Sequence, residues 1–453
     1  MRLADVAREV PGDVWLPGGA SEIVVTGVHH DSRAVGPGDL FVARRGASAD
    51  GARFASDAVL RGAVAIVAAQ DAALPPLAVP VVRVDDPQRA LAFAAAAVYG
   101  HPSFALDVVG VTGTNGKTTT THLVRAALDG ALARPSCGTL GTVGHGFAGA
   151  LVEATHTTPE ADEVARVLAW MRARGASTVA MEVSSHALAQ GRVEAVRFRV
   201  AAFTNLTQDH LDFHGSLAAY GEAKARLFTE LGPGAAVVNV DDPFGAELAG
   251  RVSCPLLRVR RTPNGDADVA PLALELGPQG VSMRVRTPLG EVGLRSRLLG
   301  LHNVENLLVA LGIALALDVD PEDAARALGE EGGAPGRLER CDEDTDDVRV
   351  LVDYAHTPDA LGRALESLTP FRVGRVLCVF GCGGDRDPTK REPMGSAAGR
   401  GADLAIITSD NPRGEPPEAI ADAVEVGVRA AGPQFIIQFY TTYLFKCMYG
   451  FEN

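Results

Sequence analysis

The mostly apolar run Leu106–Val111 leads straight into Thr112-Gly-Thr-Asn-Gly-Lys117-Thr118-Thr119 and then into a helical pattern. No other feature constrains the fold as strongly. Such a run is what a strand buried on both faces of a parallel sheet requires. A glycine turn opening directly into a helix aims backbone N–H groups and the helix N-terminus at an anion. Gly113, Thr114, Asn115, Gly116, Lys117, Thr118 and Thr119 are therefore candidate phosphate-binding residues, with Lys117 reaching the terminal phosphates and the Thr118 hydroxyl reaching Mg²⁺. The strict Gly-x4-Gly-Lys-[Ser/Thr] spacing fails by one position, because Val111 stands five residues before Gly116 and the glycines are at 110 and 113.

The rest of the chain repeats the strand-then-helix rhythm. Short apolar runs at Ile23–Val28, Leu40–Val42, Val64–Ala68 and Val79–Val84, with an alanine-rich helix at 88–99, predict a small α/β unit. His-Pro at 101–102 marks a linker, since the residue before proline avoids helical geometry. Further strands are expected at Thr178–Val183, Phe198–Phe203 and Ala235–Val240, an antiparallel excursion over 257–299, and a helix at 303–317. Gly-Gly-Ala-Pro-Gly-Arg at 332–337 is a second linker. After it, strands at Val348–Asp353, Arg375–Phe380 and Leu404–Thr408, with helices at 358–368 and about 416–430, predict a third unit. The boundaries drawn from this are 1–102, 103–333 and 334–453.

Composition narrows the function classes. A net charge of −14 provides no basic footprint for nucleic acid, so an anionic substrate must meet local positive sites. Six cysteines in 453 residues make no disulfide framework, and Cys378 and Cys382 read as strand-core and turn residues, not metal ligands. The first residues lack a basic segment followed by an apolar core, and no run of 18 apolar residues occurs, which predicts a cytoplasmic chain without membrane insertion. Only four of the 42 basic residues are lysines: Lys117, Lys224, Lys390 and Lys446. A lysine retained in an arginine-biased chain is a candidate for chemistry a guanidinium cannot perform. Glu182 and His210 each follow an apolar strand, where ligands of open α/β sheets gather, and a carboxylate there suits Mg²⁺.

Thr-Gly-Thr-Asn-Gly-Lys-Thr (112–118), His-Thr-Thr-Pro-Glu (156–160), Met-Glu-Val-Ser-Ser-His (181–186), the segment 203–215, Leu-His-Asn-Val-Glu-Asn (301–306), Ala-Pro-Gly-Arg-Leu-Glu (334–339), 352–361, 380–387 and Ser-Asp-Asn-Pro-Arg (409–413) occur in one order. That set resembles the Mur ligases, in the branch adding the third residue of the peptidoglycan stem peptide, over residues 20 to about 430. The resemblance implies a three-domain α/β fold: an N-terminal UDP-sugar domain, a central P-loop-type parallel-sheet ATPase domain and a Rossmann-like C-terminal domain. It implies ATP-dependent amide formation between UDP-MurNAc-L-Ala-D-Glu and meso-diaminopimelate through an acyl phosphate, with Mg²⁺, in a cytoplasmic monomer.

Carried over residue by residue, the resemblance assigns Lys117, Lys224 and His210 to the reaction, and Thr118, Glu182, His210 and Lys224 (as a carbamate formed with CO₂) to metal binding. Asn303, Asn306, Arg337, Asp353 and His356, with Tyr354 nearby, join the phosphate loop for ATP, the third domain's residues on domain closure. Ser32, Thr157, Thr158, Ser184, Gln190 and Arg192 hold the UDP-muramyl dipeptide. Arg386, Asp410, Asn411, Pro412 and Arg413 hold meso-diaminopimelate, whose distal carboxylate suits forked arginine donors. Two alternatives stand beside this: another ATP-dependent amide ligase such as folylpolyglutamate synthase, and a nucleotide-binding remnant with impaired ligation.

The remnant alternative comes from the end of the chain. Seven of the last nineteen residues are aromatic (Phe435, Phe439, Tyr440, Tyr443, Phe445, Tyr449 and Phe451), against seventeen in the preceding 434. So abrupt a change from about residue 433 predicts a frameshift, assembly junction or fusion, and a third domain that is incomplete with an unpaired sheet edge.

Overall fold

The computed structural model describes all residues except 47–49, 155, 278, 343–345, 433 and 438–453. Backbone contacts divide it into two units: Met1–Leu274 with Met283–Ser296 and His302–Glu331, and a second that takes in Gly332 onward with Glu275–Ser282 and Arg297–Leu301.

The first unit contains two α/β sheets. The N-terminal one runs Val14–Trp15, Val81–Val84, Ala65–Ala69, Asp39–Ala43, Gly27–His29, parallel except at its first, antiparallel edge. Its core is small and alanine-rich, closed by helix Pro87–Val98, and it extends onto Ala161 and Ala165 of helix Ala161–Ala173. Asp86 caps the closing helix by accepting from Gln88 N, with proline in the first turn.

The second sheet has eight strands in the order Leu256–Val259, Ala235–Asn239, Val200–Phe203, Asp107–Thr112, Thr178–Glu182, Cys137–Gly141, Gly144–Phe147, Ala150–Val152. The first six are parallel and the last two antiparallel. Strand Asp107–Thr112 is central, with Thr178–Glu182 on one side and Val200–Phe203 on the other. Chain order reverses about that strand, and such a switch point opens a crevice at the strands' carboxyl ends. A separate three-stranded sheet, Ala270–Gly277, Gly280–Thr287 and Gly290–Ser296, accounts for the expected excursion.

In the second unit, strands Leu377–Phe380, Leu404–Ile407 and Gln434–Ile437 form a parallel sheet over a core with helices Pro358–Leu368, Arg391–Gly401 and Pro417–Ala431. The strand expected at Val348–Asp353 is corrected. Only Leu351–Val352 are extended, and they pair antiparallel with Glu339–Arg340 instead of opening the parallel sheet. Within the segment from 433, Gln434–Ile437 pairs in parallel with Leu404–Ile407 as the edge strand of the described sheet, and the remainder of that aromatic segment lies outside the described residues.

Candidate active site

The phosphate loop sits at the carboxyl end of the central strand, buttressed by the segment after its neighbour. Gly113 adopts φ +151° and Gly116 φ +86°, and a Cβ on either would strike the Thr204 hydroxyl or the Asn306 amide. Thr204 Oγ1 donates to Asn115 O at 2.6 Å, Asn115 N donates to Asn205 Oδ1 at 2.9 Å, and Thr114 N donates to Asn205 O at 2.8 Å. Helix Lys117–Leu132 starts immediately, and Lys117 Nζ folds over the loop onto Gly113 O (2.9 Å) and Thr114 O (2.8 Å).

Glu182 ends the adjacent strand with 1% of its surface exposed. Its Oε2 accepts from Thr118 Oγ1 at 3.0 Å and its Oε1 from Thr142 N at 2.8 Å. A buried carboxylate bonded to the first-turn hydroxyl of a phosphate helix is a pair of hard oxygen donors, and this chemistry fits Mg²⁺.

Lys224, on helix Leu217–Thr229, is 1% exposed and donates to Gly113 O at 2.8 Å, with Nζ 4.2 Å from the centroid of the Tyr220 ring. Burial, reinforced by the Lys117 cation and opposed by Asp209, holds its amine well below the usual lysine range.

His210 has left-handed geometry, φ +51°, and its ring meets His186 edge-on at 4.8 Å. His214 joins the group, 5.5 Å from His186 and within 3.0 Å of Ser185 Oγ through Nε2. Burial and neighbouring imidazoles hold His186 below its ordinary value, and burial with Lys224 does so for His214. His186 and His214 have no role assigned from the sequence motifs; their ring contact depends on two short helices, Ser185–Ala189 and Leu211–His214, meeting in space, which spacing alone does not reveal.

Thr158 Oγ1 donates to Glu182 O at 2.8 Å and accepts from Ser184 N at 3.0 Å. Thr157 Oγ1 lies 3.1 Å from Thr142 Oγ1. Arg192 donates to Gln190 Oε1 (3.0 and 2.6 Å) and to Thr158 O (2.8 Å). Thr157, Thr158, Ser184, Gln190 and Arg192 therefore form one connected group beside Glu182. Ser32 is buried in the short turn Ser32–Ala34 of the N-terminal sheet. Asn303 and Asn306 are buried on helix Leu301–Ala316, with Asn306 Nδ2 donating to Asn303 Oδ1 at 3.0 Å and Asn306 Oδ1 accepting from Thr120 at 3.4 Å. The Asn306 amide thus abuts the phosphate loop.

In the second unit, Asp353 accepts from Leu338 N and Ala355 N, both at 2.9 Å, and burial pushes its carboxyl up. The Arg337 guanidinium lies 5.3 Å over the Tyr354 ring, and His356 Nδ1 is 3.0 Å from Tyr354 O. Two loops at the carboxyl ends of neighbouring parallel strands carry Arg386 and the 410–413 group. They are zipped together by Gly384 N to Asn411 O (2.9 Å), Arg413 Nη1 to Gly384 O (2.8 Å) and Gly414 N to Asp385 Oδ2 (2.9 Å). Arg386, Asp410, Asn411 and Arg413 are exposed there and Pro412 is half-buried.

Three family descriptions match in series: the Mur ligase family catalytic domain at residues 24–99, the Mur ligase middle domain at 111–314, and the Mur ligase glutamate ligase domain at 336–441. The UDP-N-acetylmuramoyl-L-alanyl-D-glutamate–2,6-diaminopimelate ligase of Gloeobacter violaceus is 47% identical over 408 residues, spanning 90% of this chain and 82% of that protein. A solved structure of a ligase of the same name superposes with a TM-score of 0.71 at 31% identity, covering 97% of this chain and 89% of the other. A Mycobacterium tuberculosis folylpolyglutamate synthase solved with ADP shares the fold at 21% identity and a TM-score of 0.59, over 76% of this chain and 84% of the other. With a relative this similar along nearly the whole chain, and three family domains in order, the chain belongs to the Mur ligase family.

Proposed function

We propose that this chain is the ATP-dependent ligase that joins meso-diaminopimelate to UDP-MurNAc-L-Ala-D-Glu in peptidoglycan precursor synthesis. The observation that carries the reading is the convergence of Lys117, Lys224 and the Thr118–Glu182 pair around Gly113 at the switch point. The relatives' name supports the substrates, and the lower identity to folylpolyglutamate synthase argues against folate. We assign residues 1–102 to UDP-sugar binding, 103–333 to ATP binding and 334–453 to amino-acid binding.

Each residue then has a task. The loop amides of 113–119 and Lys117 cradle the phosphates of ATP, offsetting charge as the substrate carboxylate attacks the γ-phosphate to form an acyl phosphate. Thr118, Glu182, His210 and the Lys224 carbamate would hold Mg²⁺, which supplies charge neutralisation on the phosphates. Asn303 and Asn306 serve the nucleotide, as do Arg337, Asp353 and His356 of the second unit. Ser32 holds the uridine end of the sugar nucleotide; Thr157, Thr158, Ser184, Gln190 and Arg192 hold the muramyl dipeptide. Arg386, Asp410, Asn411, Pro412 and Arg413 position the amino acid, whose amine displaces phosphate from the acyl group. Positioning is the main source of rate in such a transfer. We assign the chain to the cytoplasm as a monomer; among the described residues no helix is long and apolar enough to cross a membrane.

The test is phosphate release by the purified chain with ATP, UDP-MurNAc-L-Ala-D-Glu and one amino acid at a time. Release that requires both the sugar nucleotide and meso-diaminopimelate supports the reading. Equal release with L-lysine defeats the specificity, and release with folate and glutamate defeats the reading itself.

A further inference from the structure

Two side chains at the carboxyl edge of the N-terminal sheet, an imidazole and a guanidinium, reach the start of helix Ala161–Ala173, the helix that follows Thr157 and Thr158. His30, one residue beyond strand Gly27–His29, places Nδ1 2.9 Å from the Asp162 carboxylate, and its backbone N donates to Asp162 Oδ2 at 3.1 Å. Arg44, one residue beyond strand Asp39–Ala43, places Nη2 3.0 Å from Glu160 Oε1 and donates through Nη1 to Gln88 Oε1 at 2.9 Å. The same Glu160 oxygen lies 3.1 Å from Arg192 Nη2. Glu160 is 7% exposed.

This arrangement is asymmetric. Both guanidinia meet at Oε1, while Glu160 Oε2 has no hydrogen-bond partner among the described residues. The orientation of the carboxylate is therefore set by Arg44 and Arg192 together. One carboxylate shared by two guanidinia also leaves one positive charge uncompensated within the triad. Were Arg44 neutral, Glu160 would pair with Arg192 alone and compete with any anion brought to it.

We propose that Arg44 is a positioning residue for the acidic end of the substrate: by sharing Glu160 it keeps the Arg192 guanidinium in place and available to a carboxylate. This rests on the reading of Arg192 as a contact of the muramyl dipeptide. It goes beyond that reading by making a residue of the N-terminal sheet a determinant of dipeptide binding. The fork geometry matters, because Arg44 serves Gln88 and Glu160 through different nitrogens, and a lysine offers one point charge.

Calorimetry on the full chain tests this with two probes, UDP-MurNAc-L-Ala-D-Glu and UDP-MurNAc-L-Ala, which lacks the glutamate. Arg44→Met is expected to weaken the first by roughly tenfold and the second by less than about twofold. Arg44→Lys should fall between Arg44→Met and the parent. The double variant Arg44→Met/Arg192→Met should bind the first probe no worse than Arg192→Met, because the two act in series. The His30–Asp162 contact and the apolar packing on Ala161 and Ala165 remain in every variant to keep the sheet docked. Equal losses for both probes, or fully additive losses in the double variant, overturn the proposal. If Arg192→Met binds both probes like the parent, the reading of Arg192 fails, and the proposal with it. If Arg192→Met weakens the first probe and Arg44→Met does not, the proposal alone fails.

Discussion

Lys117 and Lys224 donate to the same acceptor, the main-chain carbonyl of Gly113, at 2.9 and 2.8 Å. Two ammonium groups on one carbonyl repel each other, and the cost falls on the one deeper in the protein. Burial and Lys117 together hold Lys224 well below the ordinary lysine range, which favours the loss of its proton over that of an exposed lysine. A neutral amine adds CO₂; the product is an anion, which turns the repulsion with Lys117 into attraction. Replacing Lys224 with alanine is therefore expected to remove most phosphate release, and short carboxylic acids are expected to restore part of it. Lys224→Arg should be equally inactive and not rescued, since the guanidinium fills the space and cannot form a carbamate. Full activity of Lys224→Ala without additive defeats the assignment.

Glu182 offers a cleaner substitution. In Glu182→Gln the amide oxygen can still accept from Thr142 N, so the fold should persist while the negative charge beside Thr118 is lost. Turnover is expected to fall by ~10²- to 10³-fold, the usual scale for removing one preorganised electrostatic partner of a transition state. The melting temperature of the unliganded chain should change little. A steady-state assay at varied Mg²⁺ checks the first part, and a parent-like Mg²⁺ dependence would exclude Glu182 from metal binding.

What was legible in the sequence follows from where the determinants lie along the chain. The strand Asp107–Thr112, its loop and Lys117 are contiguous, so one local pattern of apolar run, glycines and helix start encodes all three. Glu182 and Lys224 were visible for different reasons, a carboxylate at a strand end and a lysine in an arginine-biased chain. The hairpin Gly144–Phe147 and Ala150–Val152 was missed because glycines interrupt the apolar alternation in the first strand and the second is exposed throughout. At Val348–Asp353 the apolar residues look like a buried strand, yet Val348 and Val350 are exposed and only two residues pair. Arg44 was missed because nothing near it in sequence is acidic in the right place; its partner Glu160 comes from another sheet's loop.

A titration on the phosphate-loop helix gives a prediction about stability. Burial, aided by Arg125, pushes His122 down to about 4. Between its ordinary value and that point the unfolded chain binds a proton that the folded chain refuses. Stability from this residue is thus complete above about pH 6.5 and is lost as pH falls toward about 4. His122→Gln removes that linkage. Its melting temperature should fall less steeply than the parent's over this interval, by roughly 2–4 °C. Parallel curves for the two proteins would show that His122 titrates freely in the folded state.

Arg413 tests the amino-acid end, and its backbone dictates the substitution. It sits at φ +49°, a left-handed geometry that asparagine tolerates better than most side chains, so Arg413→Asn separates loss of the guanidinium from backbone strain. The loop itself should survive, because Gly384 N to Asn411 O and Gly414 N to Asp385 Oδ2 do not involve the Arg413 side chain. A forked donor facing a carboxylate is worth a few kcal/mol, so kcat/KM for meso-diaminopimelate should drop by ~10²-fold. Lysine has no distal carboxylate to lose, so kcat/KM for lysine should change far less and the preference between the two amino acids should shrink by the same factor. The KM for ATP should stay within about twofold of the parent, since no loop residue of the phosphate site is altered. If both amino acids decline together, Arg413 supports the loop and does not read the carboxylate, and the specificity must then be carried by Arg386 or Asn411.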